Sequence, residues 1–168
     1  SRGDAEAGIR YLETHRPGVL ADPVSAGVAI SLAILYDRAG RLDDAIHVYE
    51  SYLEAFPDDP FVANNLAYLL AENGQRLDEA EALVRRSLAD DEELRPSAVD
   101  TLAWVLFRQG ELEEAERHAL MALRMLPAMS NYAPDDESSQ ELLGHLAEIR
   151  AALAARPAYA QAEDTAAP

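Results

Sequence analysis

The chain repeats itself, and that period constrains its fold more than any other feature. Three stretches align: "AGVAISLAILYDRAGRLDDAIHVYESYLEAFP", "PFVANNLAYLLAENGQRLDEAEALVRRSLAD" and "PSAVDTLAWVLFRQGELEEAERHALMALRMLP". Their glycines fall at Gly40, Gly74 and Gly110, spacings of 34 and 36, and the alanines that follow the acidic pairs fall at Ala45, Ala80 and Ala115, each 35 apart. Leu32, Leu66 and Leu102 keep the same register, as do Ala33, Ala67 and Ala103. A unit of this size cannot bury an apolar face alone, so neighbouring units must stack.

Each unit reads as two helices joined by a short turn. The first carries apolar residues at i, i+3, i+4 and i+7: Ala29, Leu32, Ala33 and Tyr36 in the first unit, Val99, Leu102, Ala103 and Leu106 in the third. It stops at glycine, which tolerates the left-handed backbone that ends helices. An acidic pair then opens the second helix (Asp43-Asp44, Asp78-Glu79, Glu113-Glu114), where negative charge complements the helix dipole. Small alanines at 33 and 45, and their equivalents, let the two helices approach closely. The second helix runs to Pro57 in the first unit and Pro127 in the third.

This pattern resembles the tetratricopeptide repeat. The first unit supplies Leu32, Ala33, Tyr36, Gly40, Ala45, Tyr49 and Pro57, and the third supplies Leu102, Ala103, Leu106, Gly110, Ala115, Ala122 and Pro127. Departures are modest. Ala29, Ala63 and Val99 stand where the family has tryptophan, and Tyr52 replaces a small residue. The second unit has one extra residue in "GQRLDEA" and lacks its closing proline. The resemblance implies an all-α fold, a right-handed superhelical solenoid of helix-turn-helix repeats. The expected divisions are repeats over 26–59, 60–95 and 96–129, preceded at 3–17 by the second helix of a truncated repeat. A capping helix over 136–156 follows, opened by the capping-box spacing Ser138-x-x-Glu141, and then a disordered tail over 157–168. With no initiator methionine, the chain reads as a fragment of a longer bacterial protein.

Composition narrows function by exclusion. Of the 168 residues, 49% are hydrophobic, so most of the chain should fold, and every one of the 14 basic residues is arginine. The formal charge of −17 repels phosphate backbones and anionic lipid, which disfavours nucleic acid and membrane surfaces as partners. No apolar run is long enough to span a bilayer. The chain reads as soluble, with the compartment left open between bacterial cytoplasm and periplasm. Without cysteine there is no thiolate nucleophile, disulfide or Cys-ligated zinc.

The four histidines, His15, His47, His118 and His145, lie on different expected helices with no metal-ligand spacing around them. The acidic clusters at 57–60, 90–93 and 134–137 lack the central glycine and alternating ligands of a calcium loop, and read as solvated turns. Neither a phosphate-cradling loop nor a nucleophile elbow is present, so the expectation is a non-enzyme without cofactor or metal.

A second face remains on each first helix. With Val99 at zero and about 100° per residue, the core residues span roughly −60° to +40°, while Asp100, Trp104 and Phe107 lie at roughly 80° to 140°. The same register selects Ile30, Ile34, Asp37 and Arg38 in the first unit. It selects Phe61, Asn64, Tyr68, Ala71 and Glu72 in the second, and Ser97 and Arg108 besides those three in the third. The family resemblance assigns this face to the concave surface, where extended peptides or partner helices bind. Ile30, Ile34, Arg38, Phe61, Asn64, Tyr68, Asp100, Trp104, Phe107 and Arg108 are therefore the candidate groove residues, with Ile34, Tyr68 and Trp104 as a column down it. Such rings and arginines dominate binding hot spots.

The positions that grip chaperone carboxylates in related repeats hold Ile30, Ile34, Asn65, Ser97 and Thr101 here, and only Asn65 matches. The expected partner is instead a protein or peptide with apolar anchors and basic flanks. The rival reading is a spacer or self-assembling segment of a larger envelope, secretion or exopolysaccharide-export protein.

Overall fold

The computed structural model of the chain describes residues 2–15, 18, 25–89, 95–126 and 137–156, the side chains of 137 and 138 excepted. The tail over 157–168, the loop after Leu126, the clusters at 90–93 and 134–136 and the Ser138 cap lie outside those descriptions. Every secondary-structure element among the described residues is a helix: α1 (Arg2–His15), α2 (Ala26–Arg38), α3 (Leu42–Ala55), α4 (Pro60–Glu72), α5 (Leu77–Ala89), α6 (Pro96–Gln109), α7 (Leu112–Met125) and α8 (Glu137–Ala155). The fold class is the all-α helical-repeat solenoid that the period implies. None of these helices is long and apolar enough to cross a membrane. The helices fall into two compact units, Ser1–Leu94 and Arg95–Pro168.

In the first unit α2 packs on α3 and α4 on α5, α4 also lies against both α2 and α3, and α1 lies on α2. Capping starts the first helices. Ser25 Oγ accepts from the Val28 amide at 3.3 Å, and Asp59 Oδ1 accepts from the Phe61 and Val62 amides at 3.0 Å each, with Pro60 in the first turn. Tyr52, the departure from the small residue of the repeat pattern, is buried and donates its phenol to Asp59 Oδ2 at 3.1 Å. The bulky residue thereby ties the end of α3 to the start of α4.

The turns after α2 and α4 share one hydrogen-bond pattern. Gly40 and Gly74 donate to the carbonyls of Asp37 and Ala71, and the amides of Arg41 and Gln75 reach back to Tyr36 and Leu70 at 2.8 and 2.9 Å. Both glycines sit at positive φ, 76° and 62°, where an L side chain is strained. The extra residue of the second turn is absorbed at Arg76, whose own φ is 47°. Glu79 and Glu50 hold its guanidinium at 2.7 Å each. The core of this unit runs through Leu32, Leu66, Leu70, Val62 and Val84. Ala45 and Ala80 are fully buried.

The second unit pairs α6 with α7 by the same rules. Gly110 takes φ 91° and the Glu111 amide donates to Leu106 at 2.9 Å. Val99, Leu102, Ala103 and Leu106 are buried, with Ala115 at the helix crossing. Helix α8 lies against both α6 and α7, as α4 lies against α2 and α3. Its buried stripe is Leu142, His145, Leu146 and Ile149. Arg150 pairs with Glu116 at 2.7 Å and Arg156 with Glu113, exposed ion pairs that orient α8 on α7 and add little stability.

Candidate functional site

The face adjoining the core stripe behaves differently in the two units. In the first, α2 presents Ile30 half-buried, Ile34 at 40% exposure, and Arg38 exposed. Helix α4 presents Tyr68 half-buried and Phe61 at 54% exposure, but Asn64 is buried, with its Oδ1 lacking a hydrogen-bond partner among the described residues. Between α2 and α4, floored by α3, lies a cavity of about 400 Å3. Ala33, Ile34 and Leu69 form its apolar wall. Asp37, Glu72, Asn65 and Asn73 supply polar groups, and the rings of Tyr49 and Tyr68 line it. The structure thus brings Ile34 and Tyr68 to one hollow, together with Asp37 and Glu72 of the same register. Tyr49, Asn65, Leu69 and Asn73 complete that hollow, although the helical-wheel selection, made on first helices, does not include them. For Tyr49 no signal on its own helix sets it apart from core.

The electrostatics of the hollow are one-sided. Among the described residues lining it there is no basic side chain. Asn65 and Asn73 each donate their side-chain amide to the carbonyl four residues earlier, Phe61 and Leu69, at 2.8 Å. Each amide keeps a second N–H and its Oδ1 for other partners. The Tyr49 phenol is raised above its ordinary pKa, first by burial and then by the Asp37 carboxylate, so it stays protonated.

In the second unit the corresponding face is closed, which corrects the placement expected for Asp100 and Trp104. Both are buried, at 4% and 5% exposure, beneath α8. His145 of α8 donates Nδ1–H to Asp100 Oδ2 at 2.7 Å and stacks on the Trp104 indole with ring centroids 4.3 Å apart and planes 20° off parallel. The reason is physical. An indole and a carboxylate on one apolar face are costly to leave bare, and α8 covers the ring and gives Asp100 Oδ2 a donor, while Asp100 Oδ1 and the Trp104 Nε1–H have no hydrogen-bond partner among the described residues. Phe107, half-buried, leans on Trp104 at 4.9 Å, and the half-buried Arg108 lies over the indole at 6.0 Å. Thr101, one of the positions compared with a carboxylate clamp, is buried and donates to the Ser97 carbonyl.

No group of three or more His, Cys, Asp or Glu side chains is placed to hold a metal ion among the described residues. His15 and His118 turn Nδ1 to the carbonyls of Tyr11 and Glu114 in their own helices, and His47 lies near Ser51.

Comparison with known proteins agrees with this geometry. Tetratricopeptide repeat profiles match residues 26–69, spanning α2, α3 and most of α4, and again residues 97–126, spanning α6 and α7. The chain is 36% identical over 73 residues to a TPR repeat-containing protein of Pseudomonas aeruginosa. That match takes in 42% of this chain and 12% of the relative, so the chain spans a small part of that protein's length. The repeat family is typically a non-enzymatic one that binds proteins or peptides. From the paired helices, the glycine turns and these matches it follows that the chain is a bacterial tetratricopeptide repeat protein.

Proposed function

We propose that this chain is a non-enzymatic interaction scaffold whose first unit binds a partner polypeptide in the hollow between α2 and α4. One observation carries the reading: the α2–α4 face stands open around a 400 Å3 cavity, with Ile34 exposed on its wall. Binding cavities are concave and mostly apolar with a few placed polar groups, and this one has both. The partner is a peptide or helix with an apolar anchor for Ile34, Leu69 and Tyr68. Ile30, Arg38 and Phe61 extend the contact surface along the same two helices. Asp100 and Trp104 leave the proposed site, because α8 already occupies their face.

The test is selection of a binding peptide from a random displayed library, followed by titration of that peptide against variants. Ile34→Ala and Tyr68→Ala should each weaken it at least tenfold while leaving helicity unchanged. A selected peptide that binds both variants as tightly as the parent chain overturns the groove. If no peptide is selected and the chain instead self-associates with concentration, independently of these two residues, the spacer or self-assembly reading takes its place.

A further inference from the structure

The cavity between α2 and α4 is lined by two carboxylates and, among the described residues, no basic side chain, so it favours positive charge. Asp37 and Glu72 bring carboxylates, and Asn65 and Asn73 bring side-chain amides, each with one N–H bonded to its own helix. Tyr49 adds a second and independent sign. It is 97% buried, since only 3% of it is exposed, it lines the cavity, and its phenol makes no hydrogen bond among the described residues. The phenol oxygen is not sealed from solvent, so the cavity is where a partner can reach it.

We infer that the cavity is a recognition site for an arginine side chain of the partner peptide. A guanidinium carries five N–H donors in one plane and no acceptor, which matches a hollow of carboxylate, amide and phenol oxygens. Its flat face stacks on an aromatic ring, and Tyr68 lines the same cavity. The second unit shows a related arrangement within the chain, where the His145 ring lies against Trp104 and donates to Asp100 Oδ2. Charge complementarity also favours this occupant over an acidic one, because the chain as a whole carries −17. This inference rests on the groove reading and specifies its partner.

The experiment uses capped arginine amide and its neutral isostere, capped citrulline amide, titrated into the isotopically labelled chain and followed by amide chemical shifts. Arginine should move the signals of α2 and α4 around Ile34, Asp37, Asn65 and Tyr68, with at least tenfold higher affinity than citrulline. Asp37→Asn combined with Glu72→Gln should weaken arginine at least tenfold. Asp43→Asn with Glu54→Gln, which removes the same charge from exposed positions outside the cavity, should change it less than twofold. Arginine and citrulline binding within twofold of each other, or equal losses in the two double variants, would overturn the site. If that happens while library-selected peptides still require Ile34 and Tyr68, the arginine site falls and the groove reading stands. Loss of that requirement overturns both.

Discussion

Ile34 and Trp104 hold equivalent places in the repeat, yet one lines an open cavity and the other is sealed under a helix. Ile30 and Asp100 make a similar pair, the first half-buried and the second buried with a hydrogen-bonded partner. In both units a following helix lies against this face, α4 in the first and α8 in the second. What differs is the side chain each brings. Helix α8 inserts His145, which stacks on the indole and gives Asp100 Oδ2 a donor. Helix α4 brings Asn65 and Tyr68, and space remains between them and α2. The repeat framework therefore sets where a hollow can exist, and a few non-repeating side chains decide whether it stays open.

The sharpest way to break the comparison is to empty the closed side. Trp104→Ala removes a buried indole that touches both His145 and Phe107, and should destabilise the chain by about 3–5 kcal/mol. Urea unfolding followed by far-ultraviolet circular dichroism measures it. A loss below about 1 kcal/mol, the scale of an ordinary surface change, would mean that α8 does not seal this face.

Removing one member of the polar pair should have a smaller effect. Asp100→Ala leaves the His145 N–H buried without its acceptor, and His145→Ala does the converse to the carboxylate; each should lose about 1–3 kcal/mol. The double variant should lose less than the sum, with a coupling of about 1 kcal/mol or more. Additive losses would show that the 2.7 Å contact contributes nothing specific.

The sequence made the framework legible because the framework is repetitive. Gly40, Gly74 and Gly110 mark turns that need positive φ, and Ala45, Ala80 and Ala115 mark helix crossings that need a small side chain; each demand recurs three times and so stands out. The extra residue of the second turn was visible too, although not that Arg76 would take it up. The fate of Asp100 and Trp104 was hidden for the opposite reason. Their partner lies 45 residues from Asp100 on a helix outside the three aligned stretches, so no register connects them. One signal did exist. Asp100 is a lone carboxylate on an apolar helix face, which calls for a buried donor, and His145 sits amid Leu142, Leu146 and Ile149. Tyr49 was hidden differently, since its burial made it look like core and only the packed structure shows that its phenol borders a cavity.

On the open side the same truncation should behave in reverse. Ile34→Ala removes a side chain that is 40% exposed, so the stability loss should stay under about 1 kcal/mol while affinity for a selected peptide falls at least tenfold. Differential scanning calorimetry and peptide titration separate the two effects. A large fall in stability with intact binding would assign Ile34 to the core.

The smallest effect on stability, and the most informative comparison, comes from giving the open side the ring of the closed one. Ile34→Trp places an indole at the α2 position equivalent to Trp104, facing a cavity that has room to receive it. Enlarging a packed core costs about 1–3 kcal/mol, but filling vacant space avoids that strain, so stability should change by less than about 1 kcal/mol. Peptide binding should be lost because the cavity is then occupied from within the chain. If binding survives with an unchanged affinity, the indole has folded outward and the hollow is not the contact surface. If stability falls by several kcal/mol, the space is less open than its volume indicates. Only loss of binding at nearly constant stability is consistent with two equivalent faces that differ in whether the chain itself fills them.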